Sequence, residues 1–491
     1  MNFIKKGLIL CSIMFLSSCS LFGESTPDLV ELNTLSQVNS EKLNYYRLSK
    51  QAKAPKLNSL GKQKILIIPV EIKGFEKNAN STNLECIKKV FTGTTAETGY
   101  ESVASYYEKS SYNKLNLYES TVADSWFSPG LTPKQIYERN NGGKEGNNDG
   151  GTWYILEKAI EWYKATYTSV DITQFDNDKD GYLDGVWLIY SSPNVHNYRY
   201  ADIPSSTNPF WAFTYSDLNT LGHPNIKSPV PVLYAWASYD FMFSKQYPNN
   251  AVDAHTYIHE TGHMLGLDDY YDTTNKSMPL GAIDMMDFNV GDHNAFSKFA
   301  LGWISPYIVD TSVAVKLPSL VETGSALLIK AGTYNNTPFD EYFMVQYITP
   351  TGLNYQDYIK GYHKGLYVYN RPGVMITHVD SRAGYLSNGY IYYTSDISKM
   401  QYVALSNTTT DKKRLLTIIP AHSTKNDIFT SNYQPSNSAL FQENETFSLE
   451  SNSNYRKYME SGSSTLNKGS KFAFKIKIGK LDQSGATIIV Q

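Results

Sequence analysis

The segment His259-Glu260-Thr261-Gly262-His263 constrains the chain more than any other feature. Residues four apart share one face of a helix, so the two imidazoles can turn toward a single metal ion. Glu260 stands beside them, close enough to take a proton from a water on that metal without being a ligand itself. Ala254, Ile258 and Leu265 supply a packed side for the helix, and Asp253 is placed to cap its N-terminus. Two nitrogen donors leave a zinc site incomplete, because a catalytic zinc takes three protein ligands and a water. Gly266 can end the helix in left-handed backbone and turn the chain back toward the metal. Asp269 follows three residues later, at the spacing of a ligand after such a glycine. His255, one turn before His259, reads as a packing residue or a support for a ligand. His293 reads as a surface or core histidine.

The first residues, MNFIKKGLILCSIMFLSSC, predict the compartment. Lys5 and Lys6 precede an apolar stretch from Gly7 to Leu16, half of the ~20 residues a spanning helix needs, so it reads as a signal-peptide core. Leu16-Ser17-Ser18-Cys19 resembles the lipobox of bacterial lipoproteins. That resemblance implies removal of residues 1–18, lipid on Cys19, and a membrane partner at the extracytoplasmic face of the cell envelope. With Cys11 removed and Cys19 acylated, Cys86 is the one thiol left, which excludes an intramolecular disulfide and a thiolate zinc site. Cys86 reads as a passive buried residue. A formal charge of −3, from 44 basic and 47 acidic residues, argues against a nucleic-acid partner, which needs a basic surface.

Residues 19–61 are rich in Ser, Thr, Asn, Glu and Lys and read as a tether or short pro-segment. Order is expected to begin with a buried strand within 64–72. A helix over 102–109, a strand over 114–118, a Gly/Asn loop over 140–151 and a helix over 153–163 follow. Further strands are expected over 186–190 and 230–242. After Pro306 the pattern changes to short alternating runs, as over 342–347, 373–379 and 472–476. These predict a β-rich C-terminal region over 307–491 without an amphipathic helix.

A second metal signal is Asp176-Asn177-Asp178-Lys179-Asp180-Gly181-Tyr182-Leu183-Asp184. Acids at positions 1, 3, 5 and 9 with glycine at 6 match a calcium loop, in which position 7, here Tyr182, contributes a backbone carbonyl. Position 12 is Trp187 instead of a bidentate Glu, and a strand follows instead of a helix, so the loop is partial. The expected second cofactor is calcium, held by Asp176, Asp178, Asp180, Tyr182 and Asp184.

HETGHMLGLDDYYD, followed by IDMMDFNVGDHNAFSKFALGW, resembles the immune inhibitor A family of secreted zinc metallopeptidases. ILIIPVEIKGF, SVASYYEKSSYNKLNL and FDNDKDGYLDGVWLIYS are similar to it too, so the resemblance spans residues 62–306. It implies an α/β zincin-type metalloprotease domain over 62–306, a mixed sheet plus an active-site helix, followed by the β-rich region. It implies His259, His263 and Asp269 as zinc ligands, Glu260 as catalytic acid and base, and Met286 as the methionine beneath the metal. Asp268 stands where the family usually has proline, which sets two carboxylates side by side. The implied activity is zinc-dependent endopeptidase action on protein or peptide substrates. The rival is a surface binding protein on a vestigial scaffold, and such a scaffold has no need to keep Glu260.

Overall fold

Five strands build the sheet that carries the histidine motif: β1 (Leu66–Val70), β2 (Thr121–Val122), β3 (Val186–Tyr190), β4 (Phe213–Ser216) and β5 (Leu233–Ser238). Their spatial order is β2-β1-β3-β5-β4. The first four in that order run parallel, and β4 pairs antiparallel with β5 at the edge. Parallel strands covered on both faces need apolar residues at every position. β1 and β3 meet that need, with all ten residues buried. Alternate side chains then part to opposite faces. Leu66, Ile68, Leu188 and Tyr190 join the core that contains Leu156, Ala159 and Ile160 of the helix Gly151–Thr166. Ile67, Trp187 and Ile189 join the other core, with Tyr107, Tyr257 and Ile258.

This computed structural model describes residues 26–38, 56–139, 150–216, 223–243, 251–274, 276–360, 369–388, 390–409, 413–422 and 437–491. The expected signal segment, Cys19 and nearly all of the Gly/Asn loop lie outside the described residues. Among the described residues, no helix is long and apolar enough to cross a membrane.

Local chemistry accounts for most element boundaries. The helix expected over 102–109 forms as α1 (Val103–Ser110) and opens on a capping box, with Ser102 and Ser105 each accepting from the other's backbone N–H at 3.2 and 2.9 Å. The strand expected over 230–242 is broken. Pro231 has no N–H for a ladder, so Val230–Pro231 is a separate pairing before β5. Ser238 then accepts from the Asp240 N–H at 3.2 Å and starts a 3-10 turn over Tyr239–Met242.

The C-terminal region is β-rich: it supplies one whole five-stranded sheet, four strands of another and a three-stranded sheet. It also holds a helix the sequence pattern did not reveal, α3 (Leu353–Lys360), counted after α2 (His255–Met264). Its apolar period is masked because it turns polar residues inward. Asn354 and Asp357 are buried, where Asn354 accepts from the Asp292 N–H at 2.9 Å and Asp357 from the Gly291 N–H at 2.6 Å. The described parts of the expected tether are docked too. Leu29–Val30 pairs parallel with Val313–Leu317, and Leu57 is fully buried.

Candidate metal centre

Helix α2 runs from His255 to Met264 and carries both histidines. Asp253 sits one residue before the cap position and accepts from the His255 N–H at 3.0 Å. The helix stops where expected, since Gly266 takes φ +98° and Leu267 donates back to the Gly262 carbonyl at 3.1 Å. That reversal brings Asp269 under the imidazoles. Its Oδ1 lies 3.1 Å from His259 Nε2 and 3.2 Å from His263 Nε2.

The other ring nitrogens fix the chemistry. His259 Nδ1 lies 2.8 Å from the Met285 carbonyl oxygen, and His263 Nδ1 lies 2.9 Å from that of Leu267. Each Nδ1 must therefore carry the proton that it donates, which leaves both Nε2 atoms with a lone pair toward Asp269. Two nitrogen lone pairs and a carboxylate oxygen converge within 4.8 Å of one another. Such a set is repulsive unless a cation or added protons lie among it. Burial works against charge on His263, yet the adjacent Asp269 raises its pKa to about 10. Burial likewise opposes the charge on Asp269, and the histidines still hold its carboxyl below the usual range. The donor set thus calls for positive charge and fits a divalent metal with two imidazoles and one carboxylate. Asp268 is not among the converging donors; it instead accepts from the Asp269 N–H at 3.0 Å.

The methionine pair contributes through backbone and side chain alike. The Met285 carbonyl holds His259, while the Met286 carbonyl accepts from Tyr270 at 2.9 Å. The Met286 side chain lies against α2 at Gly262, where a Cβ would come within 2.6 Å of its sulfur. A side chain there would push the Met286 thioether aside. Asp284 caps the short turn from Met285 to Phe288, accepting from the Met286 N–H at 2.7 Å.

Glu260 is buried beside the donors without being one of them. Burial raises its pKa, countered by His263 and His259. Thr214, on edge strand β4, sets its hydroxyl 2.9 Å from the Glu260 carbonyl oxygen and 3.1 Å from Oε2. Both lie in a cleft of about 430 Å³, whose walls include Trp211, Tyr215 and Tyr271. Tyr271 stacks on His259 with ring centroids 6.4 Å apart, and burial followed by the neighbouring Asp269 charge raises its pKa. Neither Thr214 nor Tyr271 was singled out from sequence. Thr214 is far from the motif along the chain and gives no local signal, whereas Tyr271 stands two residues past Asp269, where a longer reading of the turn would reach it.

Two other histidines are placed by burial. His255 lies between two carboxylates, with Nδ1 2.7 Å from Asp253 and Nε2 3.1 Å from Asp357 of α3, and stacks on Tyr100 at 4.4 Å. His293 is buried beside Tyr106, Tyr107 and Trp303 with no hydrogen-bond partner at either nitrogen among the described residues, and burial lowers its pKa. Cys86 is half-buried against the core, and burial raises its thiol pKa.

At the acidic loop, carboxylate oxygens of Asp176, Asp178 and Asp184 converge within 4.8 Å. Asp180 lies outside that group and accepts from the Tyr182 N–H at 2.9 Å. The turn is formed by Asp176, whose two oxygens each accept at 3.0 Å, from the Asp180 and Gly181 N–H groups. Burial pushes Asp184 up to about 7 and Asp180 up to about 6. Asn177 bonds to both the N–H and the carbonyl of Lys64, which ties the loop to the start of β1.

No protein-family model and no curated protein matches the sequence.

Proposed function

We propose that the chain is a zinc-dependent endopeptidase, anchored by lipid on Cys19 to the extracytoplasmic face of the cell envelope. The observation that carries this reading is the convergence of His259 Nε2, His263 Nε2 and Asp269 Oδ1 with Glu260 beside them but outside the set. His259, His263 and Asp269 would hold the zinc, which when bound supplies a Lewis acid and lowers the pKa of its water toward ~7. Glu260 takes the proton from the attacking water and later returns it to the leaving amine. The Thr214 hydroxyl fixes the Glu260 carboxylate during that exchange, and Tyr271 lines the cleft beside the donors. Among the described residues β4 is the edge strand of its sheet, beside the cleft, a position that suits addition of an extended peptide. Trp211 and Tyr215, both largely exposed at that edge, supply apolar contact for its side chains.

Purified protein should hydrolyse casein, lose that activity to a zinc chelator and regain it on adding zinc. Casein left intact by zinc-loaded protein would reject the proposal.

The same reading separates the two adjacent carboxylates. Asp269→Ala removes one of three donors, so zinc should be lost on dialysis, whereas Asp268→Ala should keep it. Metal content measured after dialysis checks both, and the reverse pattern would move the ligand to Asp268.

We also propose calcium at Asp176, Asp178 and Asp184, with Asp180 and the Tyr182 carbonyl recruited when the ion binds. Calcium at ~100 times its Kd would stabilise the fold by ~2.7 kcal/mol. The melting temperature should therefore rise with calcium at saturating zinc, and Asp176→Ala with Asp178→Ala should abolish the rise. Identical melting with calcium and with a calcium-selective chelator would reduce the loop to a solvated turn.

A further inference from the structure

A second cleft, of about 630 Å³, lies in the C-terminal region and shares no lining residue with the metal cleft. Its volume falls in the ~300–1,000 Å³ range of small-ligand sites. One wall is the loop from Thr333 to Asp340, and the other is a hairpin of strands Ala383–Ser387 and Tyr390–Tyr393. Two cations face it, and each is matched by a carboxylate. Arg382 makes a bidentate pair with Asp380, Nε to Oδ1 at 2.7 Å and Nη2 to Oδ2 at 2.8 Å. Lys468 Nζ lies 3.1 Å from Asp340 Oδ1 and donates to the Thr333 carbonyl at 2.9 Å. The lining therefore has fixed, strongly polar groups: Arg382, Lys468 and Asp340 face the cleft, each ion-paired, with Asp380 buried behind Arg382.

Aromatic rings complete it. The Arg382 guanidinium covers one face of Tyr393, 4.5 Å from the ring centroid, and Tyr393 is still 48% exposed. Tyr334 is held by its hydroxyl bond to the Thr337 carbonyl at 2.8 Å and by a perpendicular ring contact with Tyr342 at 5.9 Å. On the other face of the same strand, Tyr392 stacks on Tyr385 at 5.8 Å.

We propose that this cleft binds a neutral saccharide. A sugar ring presents C–H groups on its faces and hydroxyls around its rim. The faces suit the exposed ring of Tyr393. The rim suits paired charges, since an ion-paired guanidinium and carboxylate donate and accept strongly without demanding a counter-charge. An anionic ligand would have to compete with Asp340 and Asp380 for Arg382 and Lys468, and a cationic one with those two cations. A purely apolar ligand would strip water from Arg382, Lys468 and Asp340 and return no hydrogen bond.

Saturation-transfer NMR on the purified chain with lactose, maltose and diacetylchitobiose at ~10 mM would read even millimolar binding. At least one disaccharide should receive saturation. Tyr393→Ala should weaken its binding ~10-fold or more, while Tyr393→Phe and the remote Tyr118→Ala should leave it unchanged. No transfer to any of the three would overturn the proposal, as would equal binding by Tyr393→Ala. Inorganic phosphate that binds where the disaccharides do not would overturn it in favour of an anion site. Zinc and peptidase activity do not enter this measurement, so its failure is distinct from failure of the peptidase reading.

Discussion

Glu260→Ala should lower peptide hydrolysis by ~10²–10⁴-fold or more while leaving zinc content unchanged. The two halves of that expectation come from one geometric fact. Glu260 lies in the same cleft as His259, His263 and Asp269 but is not part of the converging donor set. Removing its carboxylate deletes the group that accepts and returns the proton, and it leaves both Nε2 atoms and Asp269 Oδ1 in place. The fold should tolerate the change, because a buried carboxylate held by one hydroxyl is costly to desolvate. Activity and zinc content measured on the same preparation separate the outcomes. Loss of both would mean that the helix has been disturbed or that Glu260 ligates. Near-normal activity would remove the basis for the peptidase reading.

The motif was legible because its information is local. Two histidines at helical spacing, a glycine that permits φ +98° and an acid three residues on form a set that the backbone of α2 and its reversal bring together. β1 and β3 were legible for the same reason, since residues buried on both faces leave an unbroken apolar run. What stayed hidden depends on partners distant in sequence. Thr214 reaches Glu260 across 46 residues, and the Met285 carbonyl reaches His259 across 26. Helix α3 was missed because Asn354 and Asp357 face inward, where an apolar pattern would have announced a helix. The acidic loop was read by spacing alone, which could not tell that Asp180 is turned to the Tyr182 N–H.

Helix α3 is also where the second large effect is expected. Asp357 lies 3.1 Å from His255 Nε2 and accepts from the Gly291 N–H at 2.6 Å, so it joins α2 to the segment after the methionine pair. His255, Asp253 and Asp357 are all buried. Removing Asp357 leaves His255 paired with Asp253 alone and strands the buried Gly291 N–H, and an unsatisfied buried group of that kind costs ~1–3 kcal/mol. Asp357→Ala should therefore lower the stability of the fold by about that amount, read as a shift in denaturation midpoint. The pH dependence follows from His255. Burial alone would lower its pKa, but Asp357 and Asp253 outweigh burial and raise it to about 10. An unfolded histidine titrates near ~6.5. The stabilisation is thus complete below pH ~6.5 and is lost as the pH rises toward and through about 10. Asp357→Asn keeps the shape but removes a negative charge, so the folded pKa of His255 falls and the loss of stability, which begins near the same unfolded value of ~6.5, should be smaller and end at lower pH than in the wild type. Parallel pH profiles for the two proteins would refute the assignment of that charge to His255. Because α2 carries His259, Glu260 and His263 from its second turn on, zinc retention should weaken over the same alkaline range in which this link to α3 is lost.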